Sequence, residues 1–291
     1  MSKIFQLISS IQLGGAEMVA FDLAENCNYN HTLFELYSTS TEYSLAKKEE
    51  LYSKNIRFKT LHNGPKRMSL IFAPFKLFYY IWKEKPSIIH SHSDLPDFVL
   101  GLVIRFSRLS KLKMPNIIRT IHNTQLWRNH YWMGEITESV YKDDRIVSVS
   151  YYSMLAYEKL RKKYGLAVSK YKQIINNGRK TPEKIAYPFH LDKEKINIAF
   201  CGRFEDYKGM DTLIPAVIEV ERRYPGKFTF HVIGSGTYRK QLEQLSREQS
   251  HMFLYEPIPN VSTMFHKFDY LFFPSHFEGL ALTSIEASFS G

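Results

Sequence analysis

Two carboxylates, Glu278 and Glu286, stand with seven residues between them in "FEGLALTSIEASFSG", residues 277–291. A loop running into a helix that begins near Leu282 or Thr283 is the expected setting. Glu278 then falls in the loop and Glu286 about one turn into the helix. The glycine-containing turn between them brings backbone N–H groups and a helix N-terminus toward a bound phosphate. The acids can accept hydrogen bonds from hydroxyls on either side of that phosphate, which is the layout of a nucleotide-sugar. The plainer alternatives are a solvated loop acid and an ordinary acid favoured at a helix start. Arg203 and Lys208, in "CGRFEDYKGMDTLI" (201–214), offer the matching cations just beyond a strand-like run. A guanidinium fork and a point charge suit a diphosphate; a solvated basic loop is the alternative. Gly14 and Gly15, in "IQLGGAEMVAFDLA" (11–24), permit a tight turn before a helix, either an anion site or a simple connection. Gly234 and Gly236 repeat the design in "HVIGSGTYRKQLEQL" (231–245), where a structural turn is expected. Three histidines lie near strand ends, His90, His92 and His122. His122, before a polar "NTQ", is the first candidate for the site and His92 the second. No His or Cys spacing has the pattern of a metal site.

These residues need strands to carry them. Short β-rich apolar runs alternate with amphipathic stretches at 3–9, 32–38, 56–62, 87–93, 116–122, 145–150 and 173–177. After the polar, Pro-bearing "GRKTPEKIAYPFHLDKE" (178–194) the runs resume at 195–202, 227–234, 251–257 and 270–275. Strands alternating with helices predict parallel sheets covered on both faces. The expected architecture is α/β: a Rossmann-like domain over 1–178, a linker over 179–194 and a second Rossmann-like domain over 195–291, with a cleft between the two domains. Ligands in such sheets sit beyond the carboxyl ends of the strands.

At 291 residues and 44% hydrophobic residues, two cores can form. The longest apolar stretch, residues 69–82, is broken by Pro74 and Lys76 and is too short for a membrane span. The start of the chain has no signal-peptide pattern, and two cysteines make no disulfide framework, so a cytoplasmic setting is expected. Net charge is +10. Residues 1–178 hold 25 Lys and Arg against 15 Asp and Glu, while the remainder is balanced, so the whole excess lies in the first half. Phe98 to Gly134 contains no acid, yet holds Arg105, Arg108, Lys111, Lys113, Arg119 and Arg128. Such a face attracts nucleic acid, anionic lipid or a phosphorylated substrate. No nucleic-acid motif accompanies it. An anionic membrane surface is the partner expected, approached through this segment and the aromatic, basic "KRMSLIFAPFKLFYYIWKEK" (66–85). The alternative is a core face with solvated cations.

The ordered set "GGAE", "HSH", "RTIH", "SVS", "INNG", "CGRFEDYKG", "VIGSG" and "PSHFEGLALTSIEA" resembles the retaining GT-B glycosyltransferases of family 4 over essentially the whole chain. The E-x7-E motif is the specific part. The resemblance implies transfer of a sugar, with retention, from a nucleotide-sugar to a glycan or lipid-linked acceptor in bacterial surface polysaccharide synthesis. It also implies a UDP-linked donor, no cofactor and no metal. Glu278 would contact donor-sugar hydroxyls and Glu286 the ribose. Arg203 and Lys208 would hold the diphosphate, with Gly14 and Gly15 closing over it. Gly279, Leu280 and Thr283 of the last motif would line the donor, and Pro257 and Ile258, in "EPIP", the nucleobase. His122 would border donor sugar and acceptor hydroxyl. The protein would work at the inner face of the cell membrane. Family members usually continue well past "EA…G", so the resemblance implies an incomplete second domain. The alternative function is a non-catalytic remnant, or half of a split enzyme, that keeps the fold. A GT-B epimerase or phosphorylase would need further acids or a pyridoxal lysine, for which the sequence makes no clear case.

Overall fold

A computed structural model describes residues 2–128, 130–142, 144–181 and 191–290. Most of the expected linker, residues 182–190, lies outside them. The chain divides into two compact units, Met1–Asn177 and Gly178–Gly291.

In the first unit the elements run β1 (Lys3–Ile8), α1 (Gly15–Asn26), β2 (Asn30–Glu35), α2 (Glu42–Ser53), β3 (Arg57–Thr60), α3 (Lys66–Glu84) and β4 (Ile88–His92). They continue with α4 (Asp94–Ser110), β5 (Asn116–Ile121), α5 (Tyr131–Glu138), β6 (Arg145–Ser148), α6 (Tyr151–Lys163) and β7 (Lys172–Ile174). The seven strands form one parallel sheet in the order β3-β2-β1-β4-β5-β6-β7. Central β1 has four apolar residues of six and is buried from Ile4 on, because both its faces are covered. Phe5 and Leu7 face α3 and α4 through Leu77, Ile81, Val99 and Val103. Ile8 faces the other way, onto Phe21 and Ala24 of α1.

The second unit has β8 (Ile196–Cys201), a 3₁₀ turn over Asp206–Lys208, α7 (Met210–Arg223), β9 (Phe228–Ile233), α8 (Arg239–Glu248), β10 (Met252–Tyr255), β11 (Tyr270–Leu271) and α9 (Leu282–Ser288). Its strands are also parallel, in the order β10-β9-β8-β11. Each sheet therefore reverses its winding once, between β1 and β4 in the first and between β8 and β11 in the second. Crevices for ligands open at such reversals, beyond the carboxyl ends of the strands.

Arg119 departs from the sequence expectation. It is not part of a basic face: its side chain is wholly buried. Its Nε donates to Asp144 Oδ2 at 2.7 Å, and two guanidinium nitrogens donate to the two oxygens of Glu138 at 2.8 and 3.0 Å. Asp97 Oδ2 accepts at 3.3 Å, and the Tyr141 ring lies 4.0 Å below the guanidinium. Arg161 adds a second cation, 3.2 Å from Glu138. The cluster ties β5 to α4, α5 and α6. Burial pushes the Asp97 carboxyl up to about 7 against the pull of Arg119, whereas Arg119 and Arg161 together hold Glu138 below the usual carboxylate range despite its burial.

Candidate functional site

In the second unit the loops after β8, β9 and β11 are fused by close backbone approaches. Gly209, at φ +76°, precedes α7, and a Cβ there would lie 2.0 Å from the Pro274 carbonyl oxygen. Gly234, at φ +149°, leaves 1.9 Å between a Cβ position and Gly202 O. No side chain fits either place, so both glycines are structural, as expected for Gly234. The loop after β11 is pinned further by His276, whose backbone N–H donates to Tyr207 O at 2.9 Å. The His276 ring lies 2.7 Å from Asp211 on α7.

This stapling sets the charges at the winding reversal. Lys208 ends the 3₁₀ turn, and the helix starts two residues later, at Met210. The Lys208 ammonium forms an ion pair with Glu278, which projects from the loop after β11. Arg203, immediately beyond β8, is exposed beside the Tyr207 ring and makes no ion pair with any described carboxylate. One paired and one uncompensated cation thus stand together at the strand ends. Glu286 lies on α9, one turn in, and accepts a hydrogen bond from Arg179 Nε at 2.7 Å. Its negative charge, after burial, is the second cause that pushes the Cys201 thiol upward, so Glu286 sits near the end of β8. Gly279 and Leu280 occupy the loop before α9, and Thr283 is its second residue, half-buried. Pro257 is exposed beyond β10, while Ile258 packs with Ala287 against Cys201, Ile233 and Phe265. Hence Arg203, Lys208 and Glu278 form one group, and Ile258 and Glu286 flank the end of β8.

In the first unit, Gly14 caps α1 and Gly15 is its exposed first residue. Gly14 has extended backbone, and the Glu17 carboxylate folds over it, 2.3 Å from where a Cβ would stand. His122 follows β5 and lines a cavity of about 230 Å³ with Ser9, Ser93, Asp94 and Asn123, at the end of the sheet where β1 and β4 part. Its Nε2 lies 3.1 Å from Nδ1 of His92, which is buried in β4. Burial holds the His122 imidazole down to about 4, so it is neutral near pH 7. Asp94, at the start of α4, accepts the Trp127 N–H at 2.9 Å, yet burial raises its carboxyl to about 6.

Three residues at these strand ends carry no signal in the sequence. Arg179 falls in the expected linker, and Asp94 and His276 have no spacing that marks them.

Two parallel α/β units, each with one winding reversal, match the GT-B fold of glycosyltransferases. Residues 13–178 match the family model Glycosyltransferase Family 4, and residues 195–291 match Glycosyl transferases group 1. The chain belongs to glycosyltransferase family 4. A 41.2 kDa protein in the cps region of Klebsiella pneumoniae, described as uncharacterized, is 26% identical over 96% of this chain and 76% of its own length. The crystal structure of Anabaena HepE in complex with UDP and glucose shares the fold with a TM-score of 0.77 at 15% identity, over all of this chain and 79% of that one. WaaG, a glycosyltransferase involved in lipopolysaccharide biosynthesis, gives 0.69 at 10% identity, over 99% of this chain and 79% of that one.

Proposed function

We propose that the chain transfers a sugar, with retention, from a UDP-sugar to a lipid-linked glycan in bacterial surface polysaccharide synthesis. The observation that carries this is the group at the end of β8, where exposed Arg203 lies beside the Lys208–Glu278 pair. A bound diphosphate gives both cations an anion, and releases Glu278 to accept hydroxyl hydrogen bonds from the donor sugar. As the C1–O bond to the β-phosphate breaks, charge grows on the leaving diphosphate, and the two cations stabilise it. On this reading the acceptor oxygen bonds to C1 from the same face, and its proton passes to a β-phosphate oxygen. Glu286, held by Arg179, is assigned to the ribose, and Pro257 with Ile258 to the base. Gly279, Leu280 and Thr283 are assigned to the donor from the loop and helix around these acids. Gly14, Gly15 and His122 are assigned to diphosphate, donor sugar and acceptor hydroxyl. UDP and glucose in the Anabaena relative support the donor class, and the Klebsiella relative's cps region supports the pathway class. A thermal-shift screen of nucleoside diphosphates and nucleotide-sugars tests the reading. UDP and one UDP-sugar are expected to raise the melting temperature; no shift with any nucleotide would sink it.

The same reading places the first unit on an anionic membrane, where lipid-linked acceptors lie. No helix among the described residues is long and apolar enough to cross a membrane. Helix α3 nevertheless carries apolar residues on two sides. Ala73, Leu77 and Ile81 are core, whereas Ile71, Phe72, Phe75, Tyr79 and Trp82 are exposed, Phe75 by 61% and Trp82 by 58%. Lys66, Arg67, Lys76, Lys83 and Lys85 flank that ridge, and Arg105, Arg108, Lys111 and Lys113 are exposed on or just past α4. Phe75 stacks on Phe106 of α4 at 5.4 Å, so the two helices share the face. Each cation near anionic lipid contributes about 1 kcal/mol, and aromatic insertion adds to it. The protein is expected to sediment with anionic but not neutral liposomes. High salt, or changing Arg105, Arg108, Lys111 and Lys113 to Ser, should release it. Equal partitioning to both vesicle types would remove the electrostatic account.

A further inference from the structure

His122 stands at the end of a line of hydrogen bonds that crosses three neighbouring strands. Its Nε2 lies 3.1 Å from His92 Nδ1; His92 Nε2 lies 2.8 Å from the Gln6 amide oxygen; the Gln6 amide nitrogen lies 3.2 Å from His31 Nδ1. These residues belong to β5's end, β4, β1 and β2. Gln6 and His92 are each 1% exposed, so water does not compete for the links that Gln6 makes; the His92–His122 link is part-buried. The His90 ring packs 4.1 Å from the His92 ring and is itself bonded to Thr120 Oγ1 at 2.7 Å, which fixes the His92 plane.

Each link holds one proton. A neutral imidazole has one N–H and one bare nitrogen, and the amide has a donor end and an acceptor end. The direction of one link therefore dictates all the others. With the amide oxygen toward His92, His92 must carry its proton on Nε2 and present a bare Nδ1. His122 must then carry its proton on Nε2 to fill that link. Its Nδ1 is left bare, and that atom makes no hydrogen bond among the described residues. Burial holds His92 well below the usual imidazole range, and His122 lies at about 4, which keeps both rings in the neutral form the line requires.

We propose that Gln6 and His92 are positioning residues that fix the tautomer of His122, so that its Nδ1 is presented as a hydrogen-bond acceptor to a ligand hydroxyl. That the hydroxyl belongs to a sugar rests on the glycosyltransferase reading; the tautomer does not. An acceptor at this place would select ligands that donate there, and would leave a ligand carbonyl or ether oxygen unpaired.

Long-range ¹H–¹⁵N spectra of the ligand-free full chain distinguish the two tautomers directly. His122 is expected to show a protonated Nε2 and a bare Nδ1 between pH 6 and 8. In Gln6→Met, which keeps the volume and removes both ends of the amide, the two nitrogens should move toward a common averaged position. Gln6→Asn, with an amide one methylene short of His92, should behave alike. A native His122 protonated on Nδ1, or already averaged, would overturn the inference. So would a folded Gln6→Met that keeps the native pattern. Because no ligand is present, a chain with the expected tautomer and no sugar transfer would count against the function reading alone.

Discussion

Replacing Arg203 or Lys208 by alanine is expected to weaken nucleoside-diphosphate binding by roughly 1.5–3 kcal/mol each, the scale of a hydrogen bond to a charged group. That corresponds to an affinity loss of roughly ten- to more than a hundredfold. The two sites should not behave identically. Among the described residues Arg203 has no ion-pair partner to give up, so its loss is felt in full. Lys208 must first exchange Glu278 for phosphate, so part of its attraction already offsets the broken pair. Glu278→Gln separates these contributions. It frees Lys208, so free UDP should bind at least as well as before, while turnover and UDP-sugar binding fall because the sugar hydroxyls lose a carboxylate. Glu286→Ala should weaken both ligands, since both contain ribose. Calorimetry with UDP and with a UDP-sugar reads all four variants. Unchanged affinity in both cation variants would remove the diphosphate assignment. Equal patterns for the two acid variants would remove the division of roles between Glu278 and Glu286.

Arg119→Met should be the most destabilising single change in the first unit, at about 3–5 kcal/mol, because it strands buried carboxylates without their cation. Glu138 would keep only Arg161, and Asp144 would lose its 2.7 Å partner. The pH dependence gives the sign. In the native chain Glu138 sits below its ordinary value, so its pairing stabilises the fold above about pH 4.5 and is lost as pH falls through the lowered value. Without Arg119, burial dominates and raises the carboxyls, so the variant favours protonated acids and loses stability as pH rises. The gap between variant and native chain should therefore widen from pH 5 to pH 8 in urea unfolding. A gap that stays constant would mean that packing against Tyr141, 4.0 Å from the guanidinium, is what matters and not charge.

The strands were legible in the sequence and their neighbours were not. Each of the eleven apolar runs overlaps a strand, and the central strands, buried on both faces, leave a continuous local signature. Glu286 also fell where expected, one turn into a helix that begins at Leu282. What failed depended on partners remote in the chain. Arg119 looked like one cation of a surface run because its acids lie 19 to 25 residues away, all three outside the acid-free segment, Asp97 before it and Glu138 and Asp144 after it. Arg179 finds Glu286 across 107 residues, and Lys208 finds Glu278 across 70. No spacing rule spans such distances; strand order supplies them. The aromatic stretch of α3 was divided by the fold itself, with Phe78 and Tyr80 turned toward the core and Phe75, Tyr79 and Trp82 toward solvent.

Strand order also sets a timetable. The first strand of the chain lies in the middle of its sheet: Lys3 pairs with Asn30 on one side, but Leu7 pairs with Ser91 on the other. About 80 residues must be synthesised before that second side can close, which at typical ribosomal rates takes roughly 4–16 s. Throughout that interval one edge of β1 presents open N–H and C=O groups to any other strand nearby. The second sheet repeats the delay, since Ile198 of β8 waits for Tyr270 of β11. In both sheets the late pairing is the one that flanks the winding reversal. In the second sheet this pairing is the last of all, so the strand ends that carry Arg203 and Glu278 come together only after β8, β9 and β10 have been made; in the first sheet β5 to β7, and His122 with them, are still to be synthesised when β4 reaches β1.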